Sequence, residues 1–207
     1  HRGILFLDEL PEFGRENIEV LRQPLEDKEV QIARSYGSIT YPADIMLVAA
    51  MNPCPCGFYP DRARCTCTES EIRKYRSRIS GPIYDRIDIC VEAKAVELEE
   101  LQKKEEGQSS AELKKQVMKA RKIQEERYQN SPYFFNADLE TKDIAKYCFL
   151  GEEEQQFMES VFYSLNLSAR AYHRILKVAR TIADLGESPE IQKEHLTEAV
   201  CYRGFET

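Results

Sequence analysis

Residues 3 to 9, Gly-Ile-Leu-Phe-Leu-Asp-Glu, form an apolar run that stops on two adjacent carboxylates. Such a run predicts a strand buried on both faces of a parallel sheet, with Asp8 and Glu9 at the carboxyl edge where open sheets of this kind bind ligands. A magnesium ion carrying phosphates takes hard oxygen ligands, often through water, and a second carboxylate beside it can orient or activate an attacking water. This is the chemistry of the Walker B pattern, although a strand ending in a solvated acidic turn uses the same residue types. Asn52 follows a second apolar run, Ile45 to Met51, and is expected at the same edge. A neutral amide there can bond a phosphate oxygen and a water without competing for metal; Asn52-Pro53 also suits a plain turn. Arg86, in Asp85-Arg86-Ile87-Asp88, could reach a neighbouring subunit and stabilise charge on a transferring phosphoryl group, or pair with the aspartates beside it.

Three further groups of residues could carry chemistry. Cys54, Cys56, Cys65 and Cys67 form two Cys-x-Cys pairs separated by eight residues. Four thiols can close a tetrahedral zinc site, and Pro55, Gly57 and Pro60 allow the turns it requires; the usual spacing within a pair is two residues, so reduced, unliganded thiols remain the alternative. Arg170 stands in the first turn of a helix capped by Ser168, where the macrodipole disfavours a cation by about 0.3–1 kcal/mol. A polyanion nearby would offset that cost, and Arg174 and Lys177 continue the stripe, which otherwise reads as a solvated basic face. Arg34 and Tyr36, at the tip of a hairpin, pair a cation with an aromatic ring as phosphate contact and base stacking require, or are ordinary turn residues.

The elements that position these groups are legible from periodicity. Arg15 to Gln23 fits a short amphipathic helix that Pro24 should end or kink. Val30 to Tyr41 reads as a β-hairpin around Ser35-Tyr36-Gly37-Ser38. Thr68-Glu69-Ser70-Glu71 is a capping box opening a helix from Glu69 to about Ile79, and Ile87 to Val91 reads as a third buried strand. Between Glu92 and Ser110 the residues turn charged and apolar positions thin out, which marks a domain boundary. Ala111 to Tyr128 carries Leu113, Val117, Ala120, Ile123 and Arg127 at helical intervals, and helices are expected near Thr141 to Phe149, Glu152 to Ser164, Ser168 to Leu185 and Glu194 to Tyr202. The fold class is therefore α/β, with parallel strands, helices and a hairpin first and an all-helical part second.

Composition narrows the function classes. The chain has 207 residues, 42% of them hydrophobic, which is enough for one or two packed domains. A net charge of −7 excludes a globally basic, nucleic-acid-coating surface, so any DNA contact must be local. No apolar stretch approaches the roughly 20 residues of a membrane helix, and there is no basic segment leading into an apolar signal region; a soluble, cytoplasmic protein with no membrane partner is expected. Seven cysteines, an odd number, argue against a disulfide framework. Cys90, Cys148 and Cys201 are expected to be ordinary buried thiols.

Taken in order, residues 3–13 (Gly-Ile-Leu-Phe-Leu-Asp-Glu-Leu-Pro-Glu-Phe), 50–57 (Ala-Met-Asn-Pro-Cys-Pro-Cys-Gly), 80–88 (Ser-Gly-Pro-Ile-Tyr-Asp-Arg-Ile-Asp) and the helix from Leu167 to Leu185 closely resemble one family. It is the ComM-type, magnesium-chelatase-like branch of the AAA+ ATPases. The resemblance implies a P-loop core over residues 1–92, a charged linker and long helix over 93–131, and a helical lid over 132–207. It implies ATP with magnesium at Asp8 and Glu9 (Walker B), Asn52 as sensor 1, Arg86 as the finger inserted into the next subunit, and Arg170, with Arg174 beside it, as the lid's sensor 2. It further implies a homohexameric ring, a hairpin facing a central channel, and DNA branch migration in natural transformation. A chelatase-type ATPase remodelling a protein partner, and a non-catalytic zinc-stabilised assembly module, are the competing readings. No Gly-x-x-x-x-Gly-Lys-Ser/Thr occurs in these residues, so the chain reads as the C-terminal part of a longer protein and is expected to be inactive alone.

Overall fold

The computed structural model describes residues 1–93 and 107–203, which divide into two compact units, residues 1–87 and 88–207. In the first unit, β1 (Gly3–Leu7) pairs in parallel with β4 (Ile45–Ala49), in a register that sets Gly3 opposite Ile45 and Leu7 opposite Ala49. The chain between them folds as a 3-10 turn (Leu10–Phe13), α1 (Arg15–Glu19), α2 (Arg22–Asp27) and an antiparallel hairpin of β2 (Glu29–Arg34) and β3 (Gly37–Pro42). The interruption expected from Pro24 is present but lies upstream of it, at the residue four before, where its ring would meet the Val20 carbonyl of a continuous helix. The break falls at Val20 and Leu21, and Pro24 sits in the first turn of α2, where its missing N–H leaves no intrahelical bond unmade.

After β4 come the cysteine loop, α3 (Glu69–Arg76) and α4 (Gly81–Tyr84). The Thr68 hydroxyl accepts from the Glu71 N–H at 3.2 Å while the Glu71 carboxylate accepts from the Thr68 N–H at 2.8 Å, so the expected capping box is present. The core of this unit is small: Leu10, Ile18, Ile79 and Ile83 are buried, with Leu7, Leu21, Tyr84 and Ile87 packed around them. It lies under the carboxyl end of β1 and fixes the turn that carries the acidic pair.

Two expectations fail here. β1 is not buried on both faces: Ile4 is 71% exposed and Phe6 59%, and their partners Met46 and Val48 are also exposed, because among the described residues the sheet has two strands and this face has no covering layer. Nor is there a strand at Ile87–Val91. Ile89 and Val91 are exposed and the segment is irregular, with the Cys90 N–H bonded to the Tyr202 carbonyl.

The regular elements described in the second unit are all helical: α5 (Ser110–Tyr128), α6 (Thr141–Tyr147), α7 (Glu152–Ser164), α8 (Ala169–Leu185) and α9 (Lys193–Cys201), with a 3-10 turn at Asn136–Asp138. The expected charged linker falls largely on residues 94–106, outside the described residues. In α5 the buried positions are Ala120, Gln124 and Tyr128, one helical face at four-residue steps, whereas Leu113 and Val117 are exposed. α8 is the central element, burying Ala171, Ile175, Leu176, Val178, Ala179 and Ala183. Of the three scattered cysteines only Cys148 is buried; Cys90 is half-buried and Cys201 exposed.

A polar knot ties this unit together. Asp184, fully buried, receives Arg127 in a bidentate pair, Arg180 Nε at 3.1 Å and Asn136 Nδ2 at 2.8 Å. The Asn136 Oδ1 in turn accepts from the Tyr128 hydroxyl at 2.7 Å, and Arg180 donates to the Pro189 and Ser188 backbone carbonyls. Desolvation pushes the Tyr128 hydroxyl well above its ordinary pKa.

Candidate functional site

The acidic pair sits on a sharp turn. Glu9 takes a left-handed backbone (φ 50°, ψ 46°), unusual for a non-glycine residue, and its N–H bonds the Asp8 carboxylate at 2.9 Å. Two main-chain bonds lace this turn to the end of β4: Ala50 N–H to the Leu7 carbonyl and Leu10 N–H to the Ala50 carbonyl, both 2.9 Å. Asp8 and Glu9 therefore leave the sheet beside Ala50-Met51-Asn52, at one carboxyl edge, and all three candidate side chains belong to exposed residues.

Tyr75, a member of this neighbourhood, belongs to no motif or periodic pattern that would single it out. It is buried on α3, and its hydroxyl is raised above its ordinary pKa by loss of hydration and then by the Glu12 and Glu9 charges, with the Asn52 backbone amide pulling the other way. Arg78 closes this side, donating to the Pro11 carbonyl at 3.2 Å and to Glu12 at 2.8 Å.

Arg86 is in the same unit but is not presented on an edge. Its side chain is 5% exposed, paired with Glu26 and donating to the Pro82 carbonyl at 2.6 Å. Arg34 and Tyr36 lie at the hairpin tip, where Arg34 pairs with Gly37 and Tyr36 is 85% exposed. In the second unit Arg170 is exposed in the first turn of α8, whose cap is the Ser168 hydroxyl accepting from the Ala171 N–H at 3.1 Å, and Arg174 is engaged with Asp88. Lys177 donates to the Ala137 carbonyl at 3.1 Å, and burial, then Arg174, lowers its pKa.

The four clustered cysteines converge. Their sulfurs all lie within 4.8 Å of one another, with Cys54–Cys56, Cys56–Cys65 and Cys54–Cys65 separations of 3.4, 3.6 and 3.7 Å. A tetrahedral ion with bonds of about 2.3 Å to sulfur needs thiolates about 3.8 Å apart, so the set fits a four-coordinate metal. The loop is built for it. Gly57 at φ +82° allows a turn closed by its N–H on the Cys54 carbonyl at 3.0 Å, and the Tyr59 N–H points at the Cys54 sulfur at 3.4 Å. The thiols are driven apart in acidity: the Phe58 amide brings Cys56 down to about 6, and loss of hydration with the neighbouring Cys56 takes Cys67 up to about 12.

The magnesium chelatase subunit ChlI family matches residues 1–101 and its C-terminal domain matches residues 107–203. The chain is 45% identical over 204 residues to competence protein ComM of Haemophilus influenzae, covering 98% of this chain and 39% of that protein. It is 42% and 44% identical over all 207 residues to proteins named YifB in Salmonella typhimurium and Escherichia coli, covering 40% of each. It thus spans about two fifths of the length of these relatives. Among the described residues no helix is long and apolar enough to cross a membrane. With both family matches falling in chain order on a parallel-stranded unit and a helical one, the chain belongs to the ComM-type, magnesium-chelatase-like family and carries part of an AAA+ core followed by a helical domain.

Proposed function

We propose that this chain is part of a ring-forming AAA+ ATPase that couples ATP hydrolysis to DNA translocation or branch migration. The observation that carries the reading is the convergence of Asp8, Glu9 and Asn52 on one edge of a parallel strand pair, fastened by the two main-chain bonds between the Leu7–Leu10 turn and Ala50. The residues fit magnesium-bound ATP: Asp8 would hold the ion, directly or through water, Glu9 would orient the attacking water, and Asn52 would contact the terminal phosphate. Arg86 is the candidate to act on the neighbouring subunit's phosphates, which requires it to exchange Glu26 for them. Arg170 and Arg174 supply cations from the helical unit. These 207 residues contain no phosphate-binding glycine loop, so the chain alone is expected to hydrolyse ATP negligibly.

The test is ATPase activity of the full-length protein with and without forked or single-stranded DNA. Stimulation that falls several-fold in Arg34→Ala or Tyr36→Ala supports the motor. Absence of stimulation, with unchanged activity in both variants, points instead to a chelatase-type ATPase acting on a protein partner, a reading favoured by the family description of the first 101 residues.

For the four-thiol cluster the proposed metal is zinc, which sulfur ligands in a closed tetrahedral set suit and which would staple the loop after β4. Chain purified without chelator is expected to carry about one zinc, measured by plasma emission, and Cys65→Ser less than about a tenth of that. Wild-type chain with no bound metal, after expression in zinc-supplemented medium, would end the assignment.

A further inference from the structure

The loop that carries the four thiols also gathers cations and aromatic rings in a way that closing a metal site does not require. Residues 53–76 hold five cations, Arg62, Arg64, Arg73, Lys74 and Arg76, against three carboxylates, in a chain whose net charge is −7. Tyr59 meets two cations, with the Arg62 guanidinium 4.9 Å and the Arg76 guanidinium 5.1 Å from its ring centroid. Both arginines are further anchored, Arg62 to Glu69 and Arg76 to the Pro53 carbonyl at 3.2 Å, so this stack holds the loop to α3.

Arg64 and Phe58 differ from that stack. The Arg64 guanidinium lies 4.2 Å over the Phe58 ring, both residues are exposed, and neither the carboxylates of the loop nor those of α3 engage it. An arginine stacked on one side presents its other flat face and its N–H edge outward, and the exposed part of the phenyl ring adds a second planar surface. On α3, Arg73 stands four residues after Glu69 and three before Arg76, both of which meet the loop, so it faces the same side; it too is exposed.

We propose that this face, with Phe58 and Arg64 at its centre and Arg73 beside them, binds single-stranded DNA, the rings stacking on bases and the arginines contacting phosphates. The choice of DNA rests on the proposed motor reading; the choice of a single strand rests on exposed planar groups, which a paired duplex has no free base faces to meet. An acidic polypeptide would satisfy the cations but leave Phe58 without a partner. Its residues are distinct in sequence from Arg34 and Tyr36 of the hairpin tip.

The experiment is fluorescence anisotropy of a labelled oligothymidylate titrated with the zinc-supplemented full chain at several salt concentrations. The double variant Phe58→Ala/Arg64→Ala is expected to weaken binding about tenfold. Arg73→Ala is expected to weaken it less and to lower the log–log salt slope by about 0.7, the loss of one phosphate contact on a single strand. Arg64→Lys keeps the charge without the planar stack and should retain the salt slope while losing affinity. Metal content and far-ultraviolet circular dichroism of each variant show that the loop is intact. The proposal is overturned if the double variant binds like wild type with its metal in place, or if polyglutamate competes as well as unlabelled oligothymidylate. Loss of binding in Arg34→Ala/Tyr36→Ala alone, with none in the loop variants, would remove this surface and leave the motor reading standing; failure of DNA to stimulate the ATPase would remove the motor reading without touching the binding result.

Discussion

Glu9→Gln in the full-length protein is expected to lower ATP turnover by about 10²–10⁴-fold, the range associated with losing a positioned acid–base group, while ATP binding stays within a few-fold of wild type. The reasoning combines chemistry and backbone. An amide has nearly the size of the carboxylate and can occupy the left-handed turn position, but it cannot take a proton or polarise a water as an anion does. Asp8→Asn should act differently, weakening magnesium-dependent nucleotide binding as well as turnover, because Asp8 is the residue assigned to the ion. Single-turnover ATPase and binding of a fluorescent nucleotide, with and without magnesium, separate the two. Turnover within threefold of wild type in Glu9→Gln would show that this edge is not where hydrolysis happens, whatever the fold.

The largest effect on stability belongs to Asp184. Asp184→Ala is expected to cost the helical unit about 3–5 kcal/mol, because it leaves Arg127 and Arg180 in a buried position without their counter-charge and the Asn136 amide with one acceptor fewer. Urea unfolding of the chain followed by circular dichroism reads this directly. The charges themselves need not be the source of net stability: taking them out of water is expensive, and a well-packed apolar replacement of Arg127, Arg180 and Asp184 together should recover much of the loss. A change below about 1 kcal/mol in Asp184→Ala would mean that the knot is wetter than its geometry implies.

Much of this was readable before any coordinates. Strong local signals survived: the capping box at Thr68, the hairpin at Val30 to Tyr41 and the amphipathic stripe of α8 depend on residues within one or two turns of each other. The convergence of the two Cys-x-Cys pairs was also inferable, since Gly57 and the prolines limit how the intervening loop can run. What failed depended on partners far along the chain. Apolar runs at Gly3–Leu7 and Ile87–Val91 look alike in sequence, yet only the first finds a strand to pair with. Periodicity showed that α5 is a helix without showing which residues it buries: of the periodic set Ala120 goes inside and Leu113 and Val117 stay exposed, while the polar Gln124 is buried because the Asn136 backbone N–H offers it a bond. Tyr75 and the Arg86–Glu26 pair were invisible for the same reason: a single aromatic or charged residue carries no pattern, and its role is assigned by what other segments bring beside it.

The left-handed twist at Glu9 has an evolutionary consequence. A glycine there would relax a backbone conformation that costs an ordinary residue on the order of 1 kcal/mol, so the substitution that most easily firms up this turn is also one that deletes its carboxylate. Selection for robustness and selection for hydrolysis pull on this position in opposite directions. Descendants freed from the second demand should drift towards Gly at residue 9, which makes that one codon a marker of whether a lineage still uses the site.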